Sequence, residues 1–566
     1  PPHPPSSPIS SLPMSHLFAN LPQSVDLPTL HRMRLLALDV EPQAGPGPAA
    51  AEAARAKKGG SQQAPAVARP PGTIENGGLN DSDKFGDLVI VQSKYEDQRP
   101  WAEISSLDES KVGQSVWVRA RLHVGRAKGR TAFIVLRRGF STVQAVIEEG
   151  VNGMTKDAVK YAGKIPAESV IDIYGEIVKA AEEVKSTSQS KVEIRVSKIF
   201  GVSIGASSLP FQLEDASRPE PKAGEQSADG KSVITVGQDL RLNNRWIDVR
   251  TPANHAIFRL QSRVCQYYRN FFIDRDFVEI HTPKLTPGVS EGGASVFRLK
   301  YLGGVNACLA QSPQLYKQMA VTSDLFKVFE IGPVFRAEDS NTNRHMCEFV
   351  GMDFEMEIKQ HYHEVLSVLG DCMVSIFDEI NKNCQKELAA VNAQYPFEPL
   401  KYRPLGQTLV ISFPEAVKML RDDGVEMGEF DDFTTPQEKH LGTLVKKKYD
   451  LDFYIVDKYP LGARPFYTMP CPEDPRYTNS YDVFVRGEEI TSGAQRIHEV
   501  ELLKKRATEC GIPLSNLTSY LESFKYGAWP HGGAGIGLER VVMLFLGLNN
   551  IRKSSLFPRT PDRIFP

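Results

Sequence analysis

Between Val328 and Met356 the chain reads VFEIGPVFRAEDSNTNRHMCEFVGMDFEM, and this stretch carries Arg336, Glu338, Arg344, His345, Phe349 and Asp353. Guanidinium groups match phosphate oxygens through paired donors, and an exposed phenylalanine offers a purine a stacking surface. Cations gathered round such a ring are what a nucleoside triphosphate needs. A second stretch, GAGIGLER from Gly533 to Arg540, places three glycines before an arginine. Glycines let backbone come close to a ligand. Arg540, in the first turn of a helix beginning near Gly537, would aim a fixed cation at phosphate. A dinucleotide fingerprint would need a glycine where Arg540 stands and an opening βαβ unit, so that chemistry is excluded. Asp482 and Glu489 lie in YDVFVRGEEITSG. On one extended strand their spacing puts them on opposite faces, so a bend or bulge must intervene before both reach one cation.

The elements that must position these groups can be read from periodicity. Val328, Glu330, Gly332, Val334 and Arg336 share one parity, and Glu348, Val350, Met352, Phe354 and Met356 are expected to continue it on a return strand. The polar run Asp339–Asn343 turns between them. Ile257, Leu260, Val264, Tyr268 and Phe271 recur at helical spacing before an extended run that meets Pro283, and Val365 to Ile380 mark a second helix over about 361–387. Upstream, Val116–Leu122, Phe133–Leu136, Val143–Ile147, Val170–Ile177 and Val192–Ile199 read as five short strands, with a helix over 154–162. Five strands with one inserted helix predict an OB-fold barrel. From Val116 to Phe140 there are seven basic residues, Arg119 among them, and no acid. Basic groups interleaved with Phe133 suit single-stranded nucleic acid, by phosphate attraction and base stacking. A solvated basic face with Phe133 in the core is the alternative that composition leaves open.

Domain organisation follows from composition. The first 50 residues hold 11 of the 39 prolines, so residues 1–97 read as a largely disordered extension. Residues 98–204 form the barrel, 205–240 a polar hinge, and 241–566 one large α+β domain. GEQSADGKS, at 224–232, superficially looks like a phosphate loop, but its spacing is one residue too long and no strand precedes it. The net charge of -2 means that nucleic-acid contact must come from local patches. No run approaches the roughly 18 apolar residues of a membrane span. Seven scattered cysteines without a CxxC pair argue against a disulfide framework or a zinc site and fit a reducing, cytosolic compartment.

The stretch around Arg336 resembles motif 2 of the class II aminoacyl-tRNA synthetases, and in particular the aspartyl enzymes of the eukaryotic cytosolic type, in subclass IIb. FVEIHTPKL, from Phe277 to Leu285, resembles motif 1, and Gly533 to Arg540 resembles motif 3. The likeness spans about residues 98–566. It implies an OB-fold anticodon-binding domain followed by a class II antiparallel-sheet catalytic domain, acting as a homodimeric aspartate–tRNA ligase with ATP, Mg²⁺, L-aspartate and tRNA(Asp).

The resemblance also implies roles. Arg336 would bridge the amino-acid carboxylate and the ATP α-phosphate. Glu338 and the backbone at Met346 would read adenine, with Phe349 stacked on it. His345 and Arg540 would hold the distal phosphates, and Arg344, Glu489 and Gly537 would complete the nucleotide site. Asp482 and Glu489 would serve Mg²⁺. Lys317, held by Asp353, and Arg496 would select an anionic side chain. Gln314 would hold the α-amino group, with Ser492 alongside and Ser290 and Glu291 on a mobile loop. Phe133 and Gln144 would read the anticodon with Arg119, and Pro283 would lie at the dimer interface. Asn343, Trp529 and Thr560 depart from the usual pattern without removing any of these groups. The absence of a large insertion between Met356 and Tyr481 disfavours the bacterial type. Two rivals remain at this stage: an asparaginyl-specific relative and a non-catalytic tRNA-binding paralogue.

Overall fold

A computed structural model describes residues 82–566, apart from 89, 94–98, 221–233 and 288–295. Most of the expected N-terminal extension, the GEQSADGKS run, and Ser290 and Glu291 therefore lie outside the described residues.

The barrel is built from five strands, with one further strand, β1 (Phe85–Asp87), on its edge. β2 (Ser115–Lys128), β3 (Thr131–Arg138) and β4 (Ser141–Glu148) form an antiparallel meander, and β5 (Val170–Lys179) and β6 (Val192–Ser203) close it through β2–β5, β5–β6 and parallel β4–β6 pairings. Period-two alternation places Val118, Leu122, Ile134, Leu136, Val143 and Ile147 inside. A helix at Lys156–Ala162, capped by the Thr155 side chain, fills the gap before β5. β1 falls within the stretch read as irregular. It pairs in parallel with Ile199–Gly201, a non-local partner that three residues cannot announce. The hinge is likewise not all irregular: Leu213–Ser217 is helical, and Phe211, Leu213 and Ala216 bury against Ile247.

In the catalytic region, β7 (Val278–Glu279) follows the long helix Pro252–Ile273, and β8 (Leu285–Thr286), β9 (Arg298–Lys300) and β10 (Asn306–Leu309) form a small separate sheet. The main sheet comprises β11 (Lys327–Phe335), β12 (Glu348–Glu357), β13 (Val410–Ser412), β14 (Phe453–Asp457), β15 (Ser480–Val485), β16 (Glu488–Gln495) and β17 (His531–Gly537), with β7. Its order is β13-β14-β15-β16-β17-β12-β11-β7, antiparallel through the centre. Phe329, Met352, Phe354, Ala534 and Ile536 pack from its rear face onto the helices Pro252–Ile273, His363–Asn383 and Leu538–Phe545. Burying each large side chain of this kind contributes about 1.5–3 kcal/mol.

Two expectations need correction. The hairpin exists, but Glu330 pairs with Asp353, Gly332 with Gly351 and Val334 with Phe349. Residues that share the Glu330 face on the return strand are thus Phe349, Gly351, Asp353 and Glu355, not Val350 and its neighbours. Parity is local to each strand; the register across a long loop is not. The second helix ends at Asn383, where Cys384 leaves helical geometry (φ -119°, ψ 31°) and a new helix, Gln385–Gln394, begins. No helix among the described residues is long and apolar enough to cross a membrane.

Candidate active site

The front face of the sheet opens into a cavity of about 340 Å³. Its upper part is the hairpin and the helix start together. Arg336, Glu338, Arg344, His345, Met346 and Phe349 line it from the β11–β12 side, and Gly537 and Arg540 face them from β17 and the helix it enters. The Arg336 guanidinium lies 5.6 Å from the Phe349 ring centroid. Arg540 is fixed by its backbone partners, donating to the Glu489 carbonyl at 3.1 Å and the Arg344 carbonyl at 3.3 Å. Burial and the Arg540 charge push the His345 imidazole below its ordinary pKa, so near neutrality it offers a neutral ring. Arg344 is already engaged, 3.0 Å from Glu438 on the helix Thr435–Tyr449.

Gln314, Asp353, Ser492 and Arg496 line the deeper part. Lys317 is about 1% exposed and stands behind the wall. Its ammonium reaches Asp353 at 3.0 Å, the Ala534 carbonyl at 3.1 Å and Glu355 at 3.5 Å. Two of its N–H groups are thus hydrogen-bonded, and Glu355 faces it as an ion-pair partner. Arg496 presents its Nε edge to Glu355, at 2.9 and 3.3 Å, and Nη2 also donates to the Gly533 carbonyl at 2.9 Å. Its Nη1 is the nitrogen left for a ligand. Sequence reasoning missed Glu355, the fully buried acid between the two cations. Alternation from Asp353 would have found it. Burial opposes its ionisation, but Arg496 and Lys317 outweigh that and hold the carboxyl below the usual range. Two cations and two carboxylates leave this group neutral before any substrate enters.

Glycines of β17 and β12 make room for these acids. A Cβ at Gly535 would stand 2.8 Å from Asp353 Oδ1, and one at Gly351 2.8 Å from Oδ2. Backbone approach here serves the protein's own carboxylates as well as a ligand.

Asp482 and Glu489 sit on adjacent strands of a β15–β16 hairpin rather than on one strand. Asp482 pairs with Ser492 and Phe484 with Glu489, with a register shift between Val483 and Phe484. That bulge puts Glu489 on the Asp482 face; in regular register it would oppose Val485 and point away. Asp482 Oδ2 accepts from Arg464 at 2.7 Å, whereas Oδ1 is buried without a hydrogen-bond partner. Burial raises the Asp482 pKa. Arg464, a second residue the sequence reading overlooked, also donates to Ser492 Oγ at 2.8 Å. An orphaned carboxylate oxygen beside another acid fits a hard cation.

The remaining expected residues lie elsewhere. On the barrel's outer face Phe133 is 46% exposed, which favours the stacking reading over the core one. Gln144, on the next strand, donates to Glu193 at 2.6 Å. Arg119 is paired side-on with Asp172, at 2.7 and 2.8 Å, and lies 5.2 Å from the ring of Trp101, an exposed aromatic that the sequence reading did not single out. Pro283 is exposed between Thr282 and Lys284, both of which bond Glu330 of β11.

Residues 237–561 match the family described as tRNA synthetases class II (D, K and N), and residues 116–200 match the OB-fold nucleic acid binding domain. The cytoplasmic aspartate–tRNA ligase of Homo sapiens is 51% identical, over 86% of this chain and 95% of that protein. The solved aspartyl tRNA synthetase of Entamoeba histolytica is 46% identical, with a TM-score of 0.78, covering 88% of this chain and 100% of the other. The asparaginyl-tRNA synthetase of Pyrococcus horikoshii, solved with asparaginyl-adenylate, is 26% identical, with a TM-score of 0.71 over 83% of this chain and 100% of the other. The chain belongs to the class II tRNA synthetases and, within them, to the aspartate–tRNA ligases.

Proposed function

We propose that this chain activates L-aspartate with ATP and transfers it to tRNA(Asp), working as a homodimer in the cytoplasm, the compartment in its human relative's name. The observation that carries the reading is the neutral buried quartet of Lys317, Asp353, Glu355 and Arg496 beneath a rim of Arg336, His345 and Arg540. Arg496 Nη1 offers donors to the aspartate side chain. Lys317, held behind the cavity wall by Asp353 and the Ala534 carbonyl, contributes position and field. An asparagine amide would turn a donor toward donors, which costs specificity-determining energy. Gln314 accepts from the α-ammonium.

Glu338 and the Met346 backbone hold adenine against Phe349, with Arg344, Gly537 and Glu489 around the nucleotide. Arg336 draws the α-carboxylate and the α-phosphate together. The carboxylate attacks phosphorus in line and pyrophosphate leaves, its charge met by Arg540 and its oxygens by a hydrogen bond from the neutral His345 ring. The terminal adenosine 3′-hydroxyl then attacks the adenylate's carbonyl carbon, the acyl–phosphate bond breaks, and AMP leaves with the hydroxyl proton lost. No protein nucleophile is needed; positioning and fixed charge do the work. Asp482 and Glu489 would hold Mg²⁺, which neutralises triphosphate charge. Phe133, Gln144 and Arg119 form the anticodon face, and Pro283 lies at the subunit contact.

ATP–pyrophosphate exchange with aspartate, asparagine and lysine in turn tests this. Exchange is expected with aspartate alone. Comparable exchange with asparagine would replace the reading by the asparaginyl one, and exchange with none of the three would leave a tRNA-binding paralogue.

A further inference from the structure

Behind Gln314 runs a buried chain of polar groups whose direction is set at one end. The Trp529 carbonyl can only accept, and His531 Nδ1 lies 2.6 Å from it, so that nitrogen carries the proton. In a neutral imidazole Nε2 then has only a lone pair. It lies 2.9 Å from Gln318 Nε2, which donates to it. The Gln318 oxygen is therefore turned the other way, and accepts from Tyr520 Oη at 3.1 Å and from Gln314 Nε2 at 3.0 Å. Gln314 Nε2 also points to Glu355 Oε2 at 3.5 Å. With its NH₂ group thus engaged, Gln314 has one side-chain atom left for the cavity it lines, the amide oxygen.

We propose that His531 and Gln318 are positioning residues that fix the polarity of Gln314, so that the site presents an acceptor, not a donor, to the substrate α-ammonium. This deepens the aspartate reading and rests on it. An isolated glutamine can flip its amide at little cost, and the wrong face would turn an NH₂ group on a cation. The relay, with Glu355 beside it, removes that choice, because Gln314, Gln318, Tyr520 and His531 are all buried and the direction is passed from one to the next. Burial, the largest influence on His531, lowers its pKa. Glu355 and the hydrogen bond to the Trp529 carbonyl oppose this, while Arg496 and His498 add to it, and the Phe524 ring packs 6.0 Å away. A neutral ring is what the direction requires.

The test uses the full chain with Gln318→Met and Gln318→Glu, read by pyrophosphate exchange and by titration with aspartate and with succinate. Succinate keeps both carboxylates and lacks the ammonium. Methionine matches the size but ends the relay. Glutamate accepts from Gln314 and Tyr520 and takes its remaining hydrogen bond from a protonated His531, so Gln314 keeps its direction.

For Gln318→Met, KM for aspartate should rise about 10- to 100-fold, the worth of one hydrogen bond to a charge. KM for ATP and the affinity for succinate should stay within a few-fold. Gln318→Glu should recover most of the aspartate affinity. A packing role ranks the two variants the other way, because the buried charge would then be the more damaging change. That order, or equal losses for aspartate and succinate, overturns the proposal. If Gln318→Met does not fold, Gln318→Glu decides alone: an aspartate KM near wild type supports the relay, and a rise of about 10-fold or more refutes it. Wild-type protein that exchanges with no aspartate would sink the substrate reading instead, a separate outcome.

Discussion

At the scale of single residues, the consequential fact is that Arg496 already has a partner. Replacing it with leucine removes a substrate donor and takes from the fully buried Glu355 its nearest cation, leaving only Lys317 and the Gln314 amide at 3.5 Å. Breaking a buried pair from one side costs about 3–5 kcal/mol. Arg496→Leu should therefore lower both melting temperature and, by at least about 100-fold, kcat/KM for aspartate. Arg496→Leu with Glu355→Leu should regain much of the stability and none of the aspartate activity. Calorimetry beside exchange kinetics separates the effects; a double variant that recovers activity would show that Arg496 does not touch substrate. Residue types here were legible from sequence because cations and glycines at motif spacing are unusual. Glu355 was hidden behind its neighbour Asp353, and Arg464 lay in a loop without periodicity.

At the scale of elements, inside and outside were readable within each strand, while register was not. Asp353 faces Arg336 only because Glu330 pairs with it, and the intervening loop does not dictate that choice. Glu489 joins Asp482 only through the bulge opposite Val483 and Phe484, a feature no local propensity signals. The β17 glycines give this scale its test. Gly535→Ala keeps strand geometry but drives a methyl to 2.8 Å from Asp353 Oδ1. Asp353 is held by Lys317 and cannot simply swing aside. The quartet should shift, raising KM for aspartate by about 10-fold or more, the effect of a lost charge-assisted contact, while KM for ATP changes little. Unchanged aspartate kinetics would mean that the acids tolerate displacement and that β17 glycines serve the nucleotide alone.

At the scale of the molecule, barrel and catalytic domain must hold a fixed relation if anticodon contact and chemistry are to act on one tRNA. One contact that couples them, beside the packing of Phe140 on His255, centres on Glu168 of the barrel, which is 4% exposed. It meets Arg137 of β3 at 2.6 Å and Arg250 of the catalytic domain at 3.0 Å, and Arg137 also donates to the Arg250 carbonyl at 2.7 Å. Sequence could not disclose this joint, since its members are distant in the chain and individually ordinary. Burial alone would raise the Glu168 pKa, but His123, Arg137 and Arg250 together bring it down to about 2 from an ordinary 4.5. A depressed carboxyl lends stability that is complete above its unfolded value and is lost as pH falls through the folded one. Wild-type melting temperature should thus drop between about pH 4.5 and 2 more steeply than that of Glu168→Gln, which lacks the titrating group. At neutral pH the variant should already be weaker by about 3–5 kcal/mol, because two arginines lose their shared carboxylate. Its aminoacylation should suffer more than its tRNA-independent pyrophosphate exchange, because the joint links the two domains and touches no reacting atom. Parallel acid curves for the two proteins would place the joint elsewhere, and equal loss of both activities would make Glu168 a support of the catalytic domain alone.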